Sequence, residues 1–329
     1  MTSFMEGRGA GDRLRRVLGR SVFVLALLYV LLSLALAVPF SNILFKPHAP
    51  RGAAPSLTMP GAEAVRARWA GEGLQVDALR VESAAGPAPI ELSAWWIFHD
   101  SSRGKPTVAF LTGTGGLDPA DFEDKVRLMA GRGFNCLLLD QRGYGASDGQ
   151  LLSHGWHERG DFAAVVDALT SRYGIDPRRI GIWGISMGAS NAVAIAAARP
   201  ETRAILLYAP WSDPLSMAVR YVSRSYSVPK PLLYLPVWTA IRIGAWRNGG
   251  GALDPAEEAR KVRCRALVVR GDRDEITPAE LTDRLFQSLA GPKELVVVPG
   301  AHHNDLLDVM GTERYLEQMS AFFGPLLDS

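Results

Sequence analysis

Cysteine is almost absent from this chain: 329 residues hold only Cys136 and Cys264. Neither belongs to a Cys-x-x-Cys pair or stands at ligand spacing from a histidine, which argues against a zinc site. Both fall in or beside apolar runs and read as small buried residues rather than as a disulfide. Net charge is scarce as well, at +2. The first twenty residues alone carry +3, from five arginines set against Glu6 and Asp12, so the remainder sums to −1. That balance excludes an extended nucleic-acid surface. No internal repeat is present. The glycines at 113–116 are not followed by Gly-Lys-Ser/Thr, so they form no phosphate loop.

Charge is missing altogether from residues 21–40. Twenty apolar residues wound as a helix reach roughly 30 Å, the thickness of a bilayer core. Arg8, Arg13, Arg15, Arg16 and Arg20 precede this run, and only Lys46 and Arg51 follow it closely. The basic excess keeps the N-terminus cytoplasmic and sends the rest of the chain to the other side. A cleaved signal peptide is the alternative, because Ala35-Leu36-Ala37 has the small-x-small form of a cleavage site and would release a secreted protein. The run is long for a signal, and no face of it is polar, unlike a helix packed on a soluble core. The expected division is a basic cytoplasmic segment at 1–20, a transmembrane anchor at 21–40, a linker at 41–75 and one domain at 76–329.

From residue 76 onward strand and helix signals alternate. Strands are expected at 76–83 and 90–99, the second partly alternating, as in an antiparallel pair at a sheet edge. Trp95 and Trp96 point to opposite faces of that strand and read as packing residues. Continuous apolar runs follow at 107–112, 135–139, 179–183, 204–208, 266–269 and 294–298. Such runs suit strands covered on both faces. Helical stretches are expected at 121–131, 156–173, 189–198, 278–289 and 305–323. The alternation specifies an α/β fold with a mostly parallel sheet between helices, whose functional groups collect at the carboxyl ends of the strands. Residues 211–253 interrupt the rhythm with prolines, aromatics and a glycine run, and read as a lid insertion. The apolar, aromatic part of it at 231–246 either packs on the body or partly faces a bilayer.

The run Gly184-Ile185-Ser186-Met187-Gly188 joins a strand to an alanine-rich helix. Glycines two residues either side permit a turn too tight for side chains, which thrusts the serine hydroxyl out and aims the next N–H at the same spot. A hydroxyl is a poor nucleophile without a base, and the base needs a carboxylate to fix its tautomer. Both are expected after later strands, in the order serine, acid, histidine. The strand at 266–269 runs into Arg270-Gly-Asp-Arg-Asp-Glu-Ile-Thr-Pro278, and that at 294–298 into Pro299-Gly-Ala-His-His-Asn-Asp305. His99, His154 and His157 lack such a setting and read as surface or packing residues.

Across about 75–325 the sequence resembles the α/β-hydrolase superfamily, and within it the small membrane-anchored serine hydrolases. The marks are the serine turn, Asp140-Gln-Arg-Gly-Tyr-Gly-Ala-Ser147, Gly271-Asp-Arg-Asp-Glu-Ile-Thr-Pro278 and Gly300-Ala-His-His-Asn-Asp-Leu306. The resemblance implies Ser186 as nucleophile, Asp274 as acid, with Asp272 and then Asp213 as fallbacks, and His303 as base, with His302 standing where a glycine is usual. It implies an oxyanion hole from the backbone N–H groups of Met187 and Thr114, although Thr112 replaces the usual histidine of that loop. The implied activity is hydrolysis of an acyl ester or thioester, lipid-like or small, through an acyl-enzyme and without metal or organic cofactor. The rivals are a peptidase or amidase using the same residues and a membrane-tethered binding protein. Oligomeric state stays open.

Overall fold

A computed structural model of the protein describes residues 3–46, 57–58, 60–99, 104–251 and 253–328, with side chains from Val17 onward except that of Pro60. Eight strands form one sheet in the order β1-β2-β4-β3-β5-β6-β7-β8. They are β1 Gln75–Ser83, β2 Ile90–Phe98, β3 Thr107–Leu111, β4 Asn135–Asp140, β5 Ile180–Ile185, β6 Ala204–Tyr208, β7 Arg265–Gly271 and β8 Lys293–Val298. β1 pairs with β2, and β2 with β4, antiparallel; every other pairing is parallel. This is an α/β-hydrolase architecture with the antiparallel edge that alternation in β1 and β2 predicts.

Two apolar layers cover the sheet. One holds Trp95, Phe110, Trp183 and Tyr208 against α3 (Glu123–Gly131) and α11 (Thr312–Phe323). The other holds Trp96, Leu139, Ile182 and Leu207 against α4 (Glu158–Tyr173) and α5 (Met187–Ala198). Trp95 meets Trp69 edge-on at 6.2 Å, while Trp96 meets Tyr173 at 5.7 Å on the opposite face, as strand alternation requires. Cys136 and Cys264 are free thiols; burial pushes both up, Cys264 to about 12. The Arg142 guanidinium, buried, is forked on Asp161 at 2.6 and 2.7 Å, and Ser83 adds a bond to the same carboxylate at 2.6 Å. These contacts bind the 140–147 loop to β1 and α4.

Three segments differ from what the sequence leads one to expect. Part of the 41–75 linker, at 47–56 and 59, lies outside the described residues together with Arg51. Within the rest, α2 (Pro60–Gly71) is a helix that buries Ala62, Val65 and Trp69 in the first layer. The 305–323 helix is broken into α10 (Leu306–Met310) and α11 by Gly311, whose φ of 84° is left-handed. Residues 211–253 are mostly helical. They contain α6 (Pro214–Tyr226), capped by the Asp213 carboxylate, and α7 (Tyr234–Arg247).

The N-terminal helix α1 (Ser3–Phe45) includes Val17–Phe45, a stretch long and apolar enough to cross a membrane, with a mean hydropathy of 2.7 over its most apolar 18-residue window. The side chains of Arg8, Arg13, Arg15 and Arg16 fall outside the described residues. α1 lies along α7 in the same direction: Tyr29 meets the Leu232 carbonyl at one end and Asn42 meets Arg247 at the other. Ser33, Ala37, Ser41 and Phe45 recur every four residues and are buried on this seam. Phe45 presses on Gly244, where a Cβ would come within 2.4 Å of its ring. Phe45, Val222, Leu233, Val237 and Ile241 thus form a small core shared by α1, α6 and α7.

Candidate active site

Ser186 stands between β5 and α5 with φ 53° and ψ −119°, a conformation unusual for any residue with a side chain. Holding it costs about 1–3 kcal/mol, which the surrounding packing must offset. The two glycines make the turn possible. A Cβ on Gly184 would lie 2.6 Å from the Gly188 carbonyl oxygen, and one on Gly188 would lie 2.2 Å from that of Leu111. The Ser186 N–H is fixed by the Tyr208 carbonyl at 2.8 Å.

Around this turn the structure brings together residues far apart in sequence. Ser186 Oγ lies 3.0 Å from His303 Nε2, and His303 Nδ1 lies 2.8 Å from Asp274 Oδ2. Asp274 sits just past β7, and His303 just past β8. The Asp274 carboxylate also accepts from the N–H groups of Ile276 at 2.9 Å and Thr277 at 2.7 Å, and from the Thr277 hydroxyl at 2.7 Å. Burial pushes the Asp274 carboxyl up, but the His303 and Thr277 contacts outweigh it and hold the group below its ordinary value. An ionised Asp274 accepts the Nδ1–H and leaves Nε2 free to take a proton from the serine.

The neighbouring candidates do other work. Asp272 is exposed and accepts the Gly300 N–H at 2.7 Å, steadying the turn before the histidine. Asp213 caps α6 through the Leu215 and Ser216 N–H groups. The His302 side chain is exposed, while its N–H donates to Asp305 at 2.6 Å. His157 is buried and its ring bonds the Asn248 carbonyl at 2.7 Å, tying α4 to the end of α7.

A cavity of about 520 Å³ opens at Ser186, within the size range of ligand sites. Gly113, Thr114 and Gly115 line it beside Ser186, Met187 and His303. Met187 begins α5, so its N–H is one of the first-turn donors a helix leaves unpaired. The 112–116 loop is held by a buried relay that the sequence does not advertise. Asn191 on α5 donates to Gln141 at 2.8 Å, and Gln141 donates to the Thr112 carbonyl at 2.8 Å. Thr277 is another such residue, bonded to Asp274 and 3.2 Å from His303 Nδ1. His154, read from sequence as a surface or packing residue, lines the cavity.

The sequence model of the prolyl oligopeptidase family matches residues 120–328, a range that holds Ser186, Asp274 and His303 but not Thr114. An uncharacterized protein of Mycobacterium tuberculosis is 32% identical over 222 residues, covering 67% of this chain and 71% of its own. The chain belongs to the prolyl oligopeptidase family of the α/β-hydrolase superfamily. It is also similar to human alpha/beta hydrolase domain-containing protein 17B, 28% identical over 194 residues and 58% of each chain. Among solved structures, an esterase of Pyrococcus furiosus shares the fold with a TM-score of 0.64 at 20% identity, over 86% of this chain and 98% of its own. The protein is therefore a hydrolase of the α/β fold.

Proposed function

We propose that this protein is a membrane-anchored serine hydrolase that cleaves acyl esters or thioesters. The observation that carries the reading is the unbroken run of contacts from Asp274 through His303 to Ser186, at a turn only glycines allow. Ser186 Oγ attacks the acyl carbonyl carbon while His303 Nε2 takes its proton. The negative oxygen so formed is held by the N–H groups of Met187 and Thr114. His303 then protonates the departing alkoxide or thiolate, leaving the acyl group on Ser186. Water, deprotonated by the same imidazole, attacks the acyl-enzyme, and the acid leaves as Ser186 recovers its proton. Asp274 stays ionised throughout and steadies the imidazolium.

The apolar cavity wall supports an acyl substrate rather than a polar peptide. A peptidase on the same residues is the second reading, favoured by the family match. In placement, α1 serves as the anchor, with the N-terminus cytoplasmic and the hydrolase domain at 76–329 on the other side. The burial of Ser33 and Ala37 against α7 supports retention over cleavage after Ala37. A fluorophosphonate should label the detergent-solubilised protein and ester turnover should be measurable. Both should vanish in Ser186→Ala. Persisting turnover in that variant would dismiss the assignment, and turnover of peptides but not esters would select the peptidase.

A further inference from the structure

The cavity at Ser186 has two kinds of lining. Its reactive part is the glycine loop, Ser186 and His303. Most of the rest is apolar, including Met217 and Tyr221 from α6, Ile241 from α7, and Ile43, Leu44 and Phe45 from the last turn of α1. A helix expected only to hold the protein at a membrane thus ends as part of the site wall. Its ending is fixed in place. The Phe45 carbonyl accepts the Leu152 N–H at 2.6 Å, and the Leu44 carbonyl lies 3.0 Å from His154 Nε2. A carbonyl can only accept, so His154 carries its proton on Nε2. The His154 ring stands edge-on to Phe45 at 5.2 Å and to Trp211 at 6.1 Å, closing the floor between α1 and the body.

We infer that the last turn of α1 is the wall of an acyl-binding subsite, and that Ile43 sets the length of acyl chain the enzyme accepts. This rests on the ester-hydrolase reading above. Ile43 is the residue of choice because it lines the cavity while only half-buried, whereas Phe45 is also a core residue between α1, α6 and α7. A bulky side chain at 43 would fill apolar space in the cavity; a small one would enlarge it. Each excluded methylene removes buried apolar contact from the bound acyl group, and two or three together amount to at least about tenfold in specificity. Ile43 lies beyond Ala37, so a cleavage there would leave it on the chain.

The test uses the full-length protein and p-nitrophenyl esters from acetyl to dodecanoyl. The quantity read is the ratio of kcat/KM for the long ester to that for the short one. Ile43→Trp should lower this ratio by at least about tenfold, and Ile43→Ala should raise it and move the preferred chain towards longer acyl groups. Opposite signs in the two variants cannot arise from a general loss of folding. A ratio that is the same in parent, Ile43→Trp and Ile43→Ala would overturn the subsite. A parent protein that turns over no ester and takes no fluorophosphonate label would instead sink the hydrolase reading, and the subsite with it.

Discussion

At the residue scale, neighbours of the same type have separate environments, and this makes the assignment testable. His303 bridges Ser186 and Asp274, while His302 points to solvent. His303→Ala should therefore cost several orders of magnitude in kcat/KM, and His302→Ala little. Asp274→Asn should cost about 10³–10⁴-fold, since an amide would favour the wrong imidazole tautomer. Asp272→Asn keeps an oxygen for the Gly300 N–H and should cost far less. Equal losses within either pair, measured by steady-state turnover, would contradict these roles. Asp140 allows a different measurement. Burial pushes its carboxyl up to about 7, against the backbone N–H of Ala146 that favours the charged form. The folded protein then holds this proton at pH values where the unfolded chain has released it. Stability should fall as pH rises from about 4 towards 7, by at most ~1.4 kcal/mol per pH unit from this group, and the cost is complete above 7. Asp140→Asn should remove that slope, so its stability relative to the parent should improve between pH 5 and pH 8. Denaturant titrations with an unchanged difference at both pH values would show that Asp140 does not titrate in this window.

At the element scale, buried strands were plain in the sequence because uninterrupted apolar runs such as Ala204–Tyr208 have only one use in an α/β chain. The serine turn was equally legible, since Gly184 and Gly188 answer a local steric demand. Helix α2 was hidden because only Ala62, Val65 and Trp69 face the core, in a stretch whose Pro, Gly and Arg read as linker. Helix α7 was hidden for the opposite reason. It lacks a polar face because α1 covers one side, and no local pattern announces a partner two hundred residues away. The relay from Asn191 through Gln141 to Thr112 is likewise a tertiary matter. Trp238 and Trp246 remain exposed on α7, the helix along which α1 lies. Tryptophan favours the membrane interface. Replacing both with serine should slow hydrolysis of long-chain esters presented in vesicles, while short soluble esters should be turned over at a similar rate. Equal losses on both would assign α7 a purely structural part.

At the scale of the whole molecule, the apolar N-terminal helix and the helices α6 and α7 share one seam, along which Phe45 packs on Gly244. The reading places the sheet on the non-cytoplasmic side, because five arginines precede the apolar run. A reporter fused after Ser329 should accordingly be active only outside the cytoplasm, and a cytoplasmic signal would reverse the orientation. Such a result would leave the chemistry untouched, since nothing in the contacts among Ser186, His303 and Asp274 depends on sidedness. The chemistry is tested most directly by the covalent adduct. Full-length protein treated with a fluorophosphonate should gain one equivalent of label, and peptide mapping by mass spectrometry should find it on Ser186 alone. An adduct on another residue, or labelling that survives in Ser186→Ala, would contradict the account.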